Sequence, residues 1–219
     1  MLMMKETIDI LRELFRKPLP GKESQRLMSP SRMFTGDKYP DPSKAINSSV
    51  FILLFQKDGE LYIPLIKRTE YDGAHSGQIS LPGGKYEKSD RDLLDTAYRE
   101  TAEEIGIPRE KILFAGTLTK LYTPNINFNV IPQVGYITGV PEFHIDKREV
   151  DRIITLPIDV LVDKSYVKHF EKTVKGKKIF APYYSYKGDR IWGVTAMILS
   201  EFGEMIRNTS LVGRHENAV

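Results

Sequence analysis

The chain contains no cysteine. That excludes disulfides, thiolate metal sites and a cysteine nucleophile, and it suits a reducing, cytoplasmic setting. It carries no strong charge of one sign. A net charge of +3 is too small to argue for nucleic acid or an anionic membrane as a partner. It has no apolar run long enough to cross a bilayer. The first seventeen residues are not expected to be a signal peptide. Ile8, Leu11, Leu14 and Phe15 recur at helical spacing, with Glu6, Asp9, Arg12 and Glu13 between them. That pattern predicts an amphipathic helix. Internal repeats and low-complexity tracts are also missing.

What remains is an ordinary globular composition. With 219 residues, 41% hydrophobic and 28% charged, the chain can bury one real core. Residues 1–49 read as the amphipathic helix followed by an irregular connection punctuated by Pro18, Pro20, Pro30, Pro40 and Pro42. Residues 50–207 read as the main domain, and 208–219 as a polar, frayed tail. Within the domain, Val50 to Gln56 and Leu61 to Lys67 predict a hairpin around Asp58-Gly59. Asp90 to Ile105 predicts a helix. Lys111 to Leu118 and Asn129 to Thr138 predict strands. Pro157 to Val162 predicts a short helix. A second hairpin is expected around Lys187-Gly188-Asp189, then a final helix from Val194 to Arg207. Strands interleaved with helices suggest a mixed sheet with helices packed on it.

The segment from Leu81 to Ile107 carries the chemistry. Asp90 stands where it can cap the helix, and Gly106 and Pro108 stop it. At about 100° per residue, Leu94, Tyr98, Thr101, Ala102 and Ile105 fall on the side expected to face the core. Glu100, Glu103 and Glu104 fall together on the opposite side. Three carboxylates at this spacing repel, by about 0.2–0.5 kcal/mol per pair, and the last helical turn disfavours negative charge. A hard divalent cation bound by oxygen ligands would offset that repulsion. Gly83-Gly84 lets the backbone approach a ligand closely, and a carbonyl there can complete a metal shell. Arg99 is placed to hold a carboxylate or clamp a phosphate. Taken one at a time, Glu-x-x-Glu-Glu is usually a solvated helix face, and Gly-Gly is usually a turn.

Together they resemble the Nudix box. Gly84 matches its opening glycine, and Arg99, Glu100, Glu103, Glu104, Gly106 and Ile107 match its core, with Thr101 at an aliphatic position. Asp90 stands where the family has Glu, and the spacing to Arg99 is one residue longer. That longer form resembles the coenzyme A pyrophosphatase branch. Arg68 and Gly77 resemble its upstream motif, in which Thr69, Gly73 and Leu81 are departures. Glu149-Val150 and Arg190 to Ala196 resemble later segments of the branch.

The resemblance implies an α+β fold, a Nudix α/β/α sandwich with a mixed β-sheet between helices, here with an N-terminal helical extension. It implies a Mg²⁺- or Mn²⁺-dependent pyrophosphatase acting on a nucleoside diphosphate linked to another group, with coenzyme A or a derivative as the leading substrate. The expected metal ligands are Glu100, Glu103, Glu104 and a backbone carbonyl at Gly83 or Gly84. Arg99, Glu100 and Glu103 are the expected catalytic group, with Glu149 a further candidate base. Arg68, Gln78, Gly83 and Gly84 are expected to meet substrate. His75 reads as a loop residue, and Trp192 as core rather than an adenine platform. Lys172, Lys175, Lys177 and Lys178 read as a solvated basic run, with contact to a 3′-phosphate of coenzyme A as the functional alternative. Alternatives kept open are ADP-ribose, dinucleoside polyphosphates or nucleoside triphosphates as substrate, and a non-catalytic nucleotide-binding regulator. No nucleic acid or membrane partner is expected, and a homodimer is possible.

Overall fold

The structure, a computed structural model, describes residues 4–32, 38–70, 77–174 and 176–213. In chain order its elements are α1 (Met4–Leu14), α2 (Gly21–Leu27), β1 (Ile46–Lys57), β2 (Glu60–Arg68), β3 (Ile79–Ser80), β4 (Gly83–Lys85), α3 (Leu93–Ile105), β5 (Ile112–Thr117) and β6 (Leu121–Thr123). β7 (Phe128–Ile137), β8 (Val150–Pro157), β9 (Val167–Val174), β10 (Lys177–Tyr186), β11 (Asp189–Trp192) and α4 (Gly193–Ile206) follow.

β1 is the centre of the main sheet. It runs parallel to β7 and antiparallel to β2. β2 carries β3 and β8, and β7 carries β5 and β6. Both faces of β1 are covered, which is why it reads as a continuous apolar run rather than an alternating one. Phe51, Leu53 and Phe55 pack with Ala97, Tyr98 and Ile105 of α3. Ile52 and Leu54 point the other way, into a core shared with Met197, Ile198, Phe202 and Ile206 of α4. Helices therefore lie on both faces of a mixed sheet, the expected α/β/α sandwich.

The two hairpins form as anticipated. Asp58 and Gly59 have φ of 52° and 86°, and Lys187 and Gly188 have 47° and 86°. Two successive positive φ values turn an antiparallel pair in two residues.

The expected irregular connection holds more structure than its prolines suggest. It contains α2, and β1 begins at Ile46 rather than Val50. The signal was hidden because polar groups, not an apolar stripe, hold α2. Ser200 Oγ donates to Ser24 O at 2.8 Å. Gln25 Nε2 donates to Glu201 Oε2 at 2.7 Å and to Thr119 O at 2.9 Å. Thr119 N donates to the other oxygen of Glu201 at 3.1 Å. Glu201 is fully buried, so every one of these bonds matters. Gln25→Ala removes a donor and is expected to lower stability by about 1–3 kcal/mol, measured by urea denaturation. An unchanged midpoint would show that Glu201 finds another partner.

α1 forms with Ile8 and Leu11 buried, as its spacing predicts. Its end sits on β5, where Phe15 fills the space a Cβ on Gly116 would take. The tail departs from expectation: Leu211 and Val212 are buried. β8 and β9 are also unanticipated, because Asp151, Arg152 and Thr155 interrupt one and Lys168, Glu171 and Lys172 the other.

Candidate functional site

The site is built where the main sheet divides. At its far end β1 pairs with β2, from Phe55 opposite Tyr62. At its start, Ser48 to Val50, β1 pairs instead with β4. That exchange lays Gly83 and Gly84 flat against β1, underneath α3. Backbone leaves no room for a side chain at Gly83, whereas at Gly84 the space is taken by a carboxylate. A Cβ on Gly83, whose φ is 149°, would lie 2.3 Å from Ser49 O. A Cβ on Gly84 would lie 2.3 Å from a Glu100 carboxylate oxygen. A side chain at either position would fill the place where backbone and carboxylate now meet.

α3 is capped by Asp92, not Asp90. Asp92 Oδ1 accepts from Asp95 N at 2.8 Å. Asp90, two residues earlier, is buried and anchors Arg99. It accepts from Arg99 Nε at 2.8 Å and Nη2 at 3.1 Å, from Thr96 Oγ1 at 2.8 Å, and from Glu87 N at 2.9 Å. The Arg99 guanidinium, helped by those other donors, holds the Asp90 carboxyl down at about 2. Its ordinary value is 3.8, so its contribution to stability is complete above about pH 4 and is lost as pH falls through about 2. Asp90→Asn is expected to remove an acid-labile step on the order of 1–2 kcal/mol, read as a flatter loss of stability between pH 4 and 2. An unaltered acid profile would show that Asp90 is not that group.

From that anchor Arg99 spreads toward the glutamates. Its Nη1 donates to Glu100 Oε1 at 2.9 Å and Glu103 Oε2 at 3.1 Å, and its Nη2 to Lys85 O at 3.0 Å. The glutamates do not share one solvent face, which corrects the helical projection. Glu103 is exposed and Glu100 mostly buried. Glu104 is only 2% exposed, while Ala102 points outward. The buried row runs through Ala97, Thr101 and Ile105, and Glu104 lies one step beside it.

Glu104 accepts from Gly83 N at 2.9 Å and from Arg68 Nη1 at 3.2 Å. Burial nevertheless pushes its carboxyl up to about 7. Burial also raises that of Glu100, partly countered by Arg99. Arg68 reaches a second acid, Glu149, at 3.4 Å. Glu149 arrives because its loop finishes α3: His144 N donates to Ile105 O at 3.0 Å and Asp146 N to Glu104 O at 3.2 Å. Those bonds satisfy carbonyls that a helix end leaves open. Gly106, at φ 72°, turns the chain out of the helix with His144 packed against it.

Five carboxylates, of Asp90, Glu100, Glu103, Glu104 and Glu149, thus surround two guanidinium groups. Among the described residues no three acids converge as a ready metal cage. The donor set still suits a hard cation. It is all oxygen, it carries excess negative charge, and the Glu100 carboxylate fills the Cβ place of Gly84 beside open backbone.

Of the residues singled out in the sequence, Arg68, Gly83, Gly84, Arg99, Glu100, Glu103, Glu104 and Glu149 come together here. Gln78 adjoins them, its carbonyl accepting from Arg68 N at 2.9 Å. His75 and Gly73 lie outside the described residues, as does Lys175. Lys172, Lys177, Lys178 and Trp192 belong to the separate sheet of β9 to β11. Sequence reasoning missed the task of Asp90. The signal was its place at the motif's variable acid rather than its distance from the helix start.

A family model described as the NUDIX domain matches residues 46–164. Nudix hydrolase 15, mitochondrial, from Arabidopsis thaliana is 34% identical over 169 residues, which cover 74% of this chain and 59% of that relative. An uncharacterized Nudix hydrolase NudL from Pectobacterium atrosepticum is 31% identical over 134 residues, 60% of this chain and 68% of the relative. The chain thus spans less than two thirds of the length of the Arabidopsis protein. Among solved structures, the MutT protein from Methanosarcina mazei Go1 matches with a TM-score of 0.50 at 16% identity, over 75% of this chain and 96% of that one. That likeness bears on the fold alone. Among the described residues no helix is long and apolar enough to cross a membrane.

Proposed function

We propose, from the premise that this chain belongs to the Nudix hydrolase family, that it hydrolyses the diphosphate bond of a nucleoside diphosphate joined to another group. Coenzyme A or a derivative is the leading substrate. The observation that carries the reading is the seat of Glu100 against Gly84, which brings a carboxylate and open backbone to one point beside Glu103 and Glu104.

Glu100, Glu103, Glu104 and a carbonyl at Gly83 or Gly84 would hold Mg²⁺ or Mn²⁺. When bound, such an ion neutralises phosphate charge and lowers the pKa of a coordinated water. The protein's own groups do the rest. Arg99, fixed at its rear by Asp90, aims Glu100 and Glu103 and holds them against their mutual repulsion. Arg68 does the same for Glu104 and Glu149, and with Gln78 beside it offers a positive charge to a substrate phosphate. The proton of the attacking water passes to a carboxylate that is exposed enough to shed it. Glu103 and Glu149 both meet that condition, each being more than half exposed.

A panel of coenzyme A, ADP-ribose, dinucleoside polyphosphates and nucleoside triphosphates, each with Mg²⁺ and Mn²⁺, tests the reading. Formation of a phosphopantetheine product selects coenzyme A. Turnover of ADP-ribose instead moves the assignment within the family. That second reading draws support from Thr69 and Gly73, which depart from the branch motif. No turnover of any diphosphate would remove the catalytic reading.

A further inference from the structure

The small sheet, ordered β11-β10-β9, has two faces of opposite character. Residues directly opposed across an antiparallel pair share a face. Tyr183 is opposite both Lys168 and Trp192, Ala181 is opposite Phe170, Ser185 is opposite Arg190, and Ile179 is opposite Lys172. Lys168, Phe170, Lys172, Tyr183, Arg190 and Trp192 therefore stand on one side. The other side turns Tyr184 and Ile191 into the main core. It also carries the carboxylates. Glu171 pairs with Lys178 at 2.9 Å and Asp189 with Arg152 at 2.6 Å.

The first face has no carboxylate among its described strand positions. Its cations lie over aromatic rings instead. The Arg190 guanidinium is 5.7 Å from the centre of Phe170 and 5.6 Å from that of Tyr183. Lys172 Nζ is 5.7 Å from the centre of Trp192. Phe170 stands edge-on to Tyr183 and Trp192, with centroids 5.6 and 5.3 Å away. These rings stay partly open to solvent, while Ile179 and Ala181 beyond them are buried. Cation–ring attraction at exposed sites is worth about 0.5–1 kcal/mol and leaves the like charges unneutralised. A ligand with a flat π system and a phosphate would satisfy both halves of the surface.

The face also borders β3, the strand just before β4 with its Gly83 and Gly84. Trp192 ends β11 and leads into α4, where Thr195 Oγ1 donates to Ile79 O of β3 at 3.1 Å. Trp192 is three residues from Thr195, and Ile79 is four from Gly83. Trp192 and Gly83 are thus linked through short stretches of chain and one hydrogen bond, an upper bound of roughly 25 Å of chain at about 3.6 Å per residue.

We propose that this face binds the nucleoside end of the substrate: Trp192 stacks the base, and Lys172 and Arg190 take a phosphate additional to the diphosphate. This rests on the diphosphatase reading above. One nucleotide, rather than a polynucleotide, is the occupant because the face adjoins β3 and a whole-chain charge of +3 is too small to follow a polyanion.

Trp192 is the chain's only tryptophan, so its fluorescence reports this face alone. The full chain, without metal, is titrated with adenosine 3′,5′-bisphosphate, AMP, inorganic phosphate and an oligoadenylate. Saturable quenching is expected, with the bisphosphate bound about tenfold more tightly than AMP. Lys172→Ala with Arg190→Ala is expected to erase that preference. The same pair raises KM for a substrate bearing the extra phosphate by about the same factor, and raises that for its dephospho form by less. Lys172→Gln with Arg190→Gln replaces the alanine pair if that pair melts early. Unchanged emission with every nucleotide, a preference that survives both variants, or tighter binding of the oligoadenylate overturns the proposal. Quenching without turnover of any diphosphate would sink the catalytic reading and, with it, the face's role in holding a substrate, leaving nucleotide binding at Trp192 alone. Turnover without quenching does the reverse.

Discussion

Glu103→Gln is expected to lower kcat by about 10²–10⁴-fold while the melting temperature stays within a few degrees of wild type. Glu103 is the cleanest of the three glutamates to change. Its side chain is 59% exposed and its one recorded partner is Arg99, at 3.1 Å. Removing its charge weakens one of the several bonds that fix Arg99, and the glutamine oxygen can still accept, so the fold has little to lose. Glu104 would be a poor substitute, because it is buried and accepts from Gly83 N and Arg68, and its loss would mix stability with activity. Steady-state kinetics with Mg²⁺ beside a thermal melt checks the expectation. Near-normal kcat in Glu103→Gln would take the residue out of the mechanism and leave Glu149 as the exposed acid at the site.

The second large effect separates the two glycines. Gly84→Ala places a Cβ on the Glu100 carboxylate, 2.3 Å from its nearest oxygen. That carboxylate is the far end of a flexible side chain and can swing away, so stability should fall by only about 1 kcal/mol. The displaced acid, however, is one of the three proposed to hold the cation, and activity should fall about 100-fold. Gly83→Ala meets backbone instead: Ser49 O at 2.3 Å and Val50 Cα at 2.5 Å. Its φ of 149° is also one that side chains avoid. The expected result is a loss of several kcal/mol, on the order of 3 or more, seen as poor folding rather than slow turnover. If Gly84→Ala turns over normally, the seat of Glu100 is not part of the site.

How much of this was legible differs residue by residue. The hairpin at Asp58-Gly59 was visible because its geometry is local, requiring only two positive φ values. The grouping of Glu100, Glu103 and Glu104 was visible because helical spacing is local too. The burial of Glu104 was not, since it depends on Gly83 and Arg68, which lie 21 and 36 residues away. The helix cap was misplaced by two residues. A carboxylate near a helix start looks the same whether it accepts from the first turn, as Asp92 does, or from an arginine nine residues on, as Asp90 does. α2 escaped notice because a buried Gln25 meeting a buried Glu201, 176 residues away, leaves no periodic trace.

By itself, then, the order of residues determined the two hairpins, the helices α1, α3 and α4, the grouping of the helix acids and the family. All of these depend on neighbours within a turn or a pair of strands. Only the tertiary structure decided which glutamate is buried, that Asp90 and Arg68 each fix their end of the acid cluster, and that Lys168, Lys172 and Arg190 share a face of the small sheet with no acid among its described strand positions. Those outcomes depend on which distant segments the sheet brings together, and on how much water is left between charges once they meet.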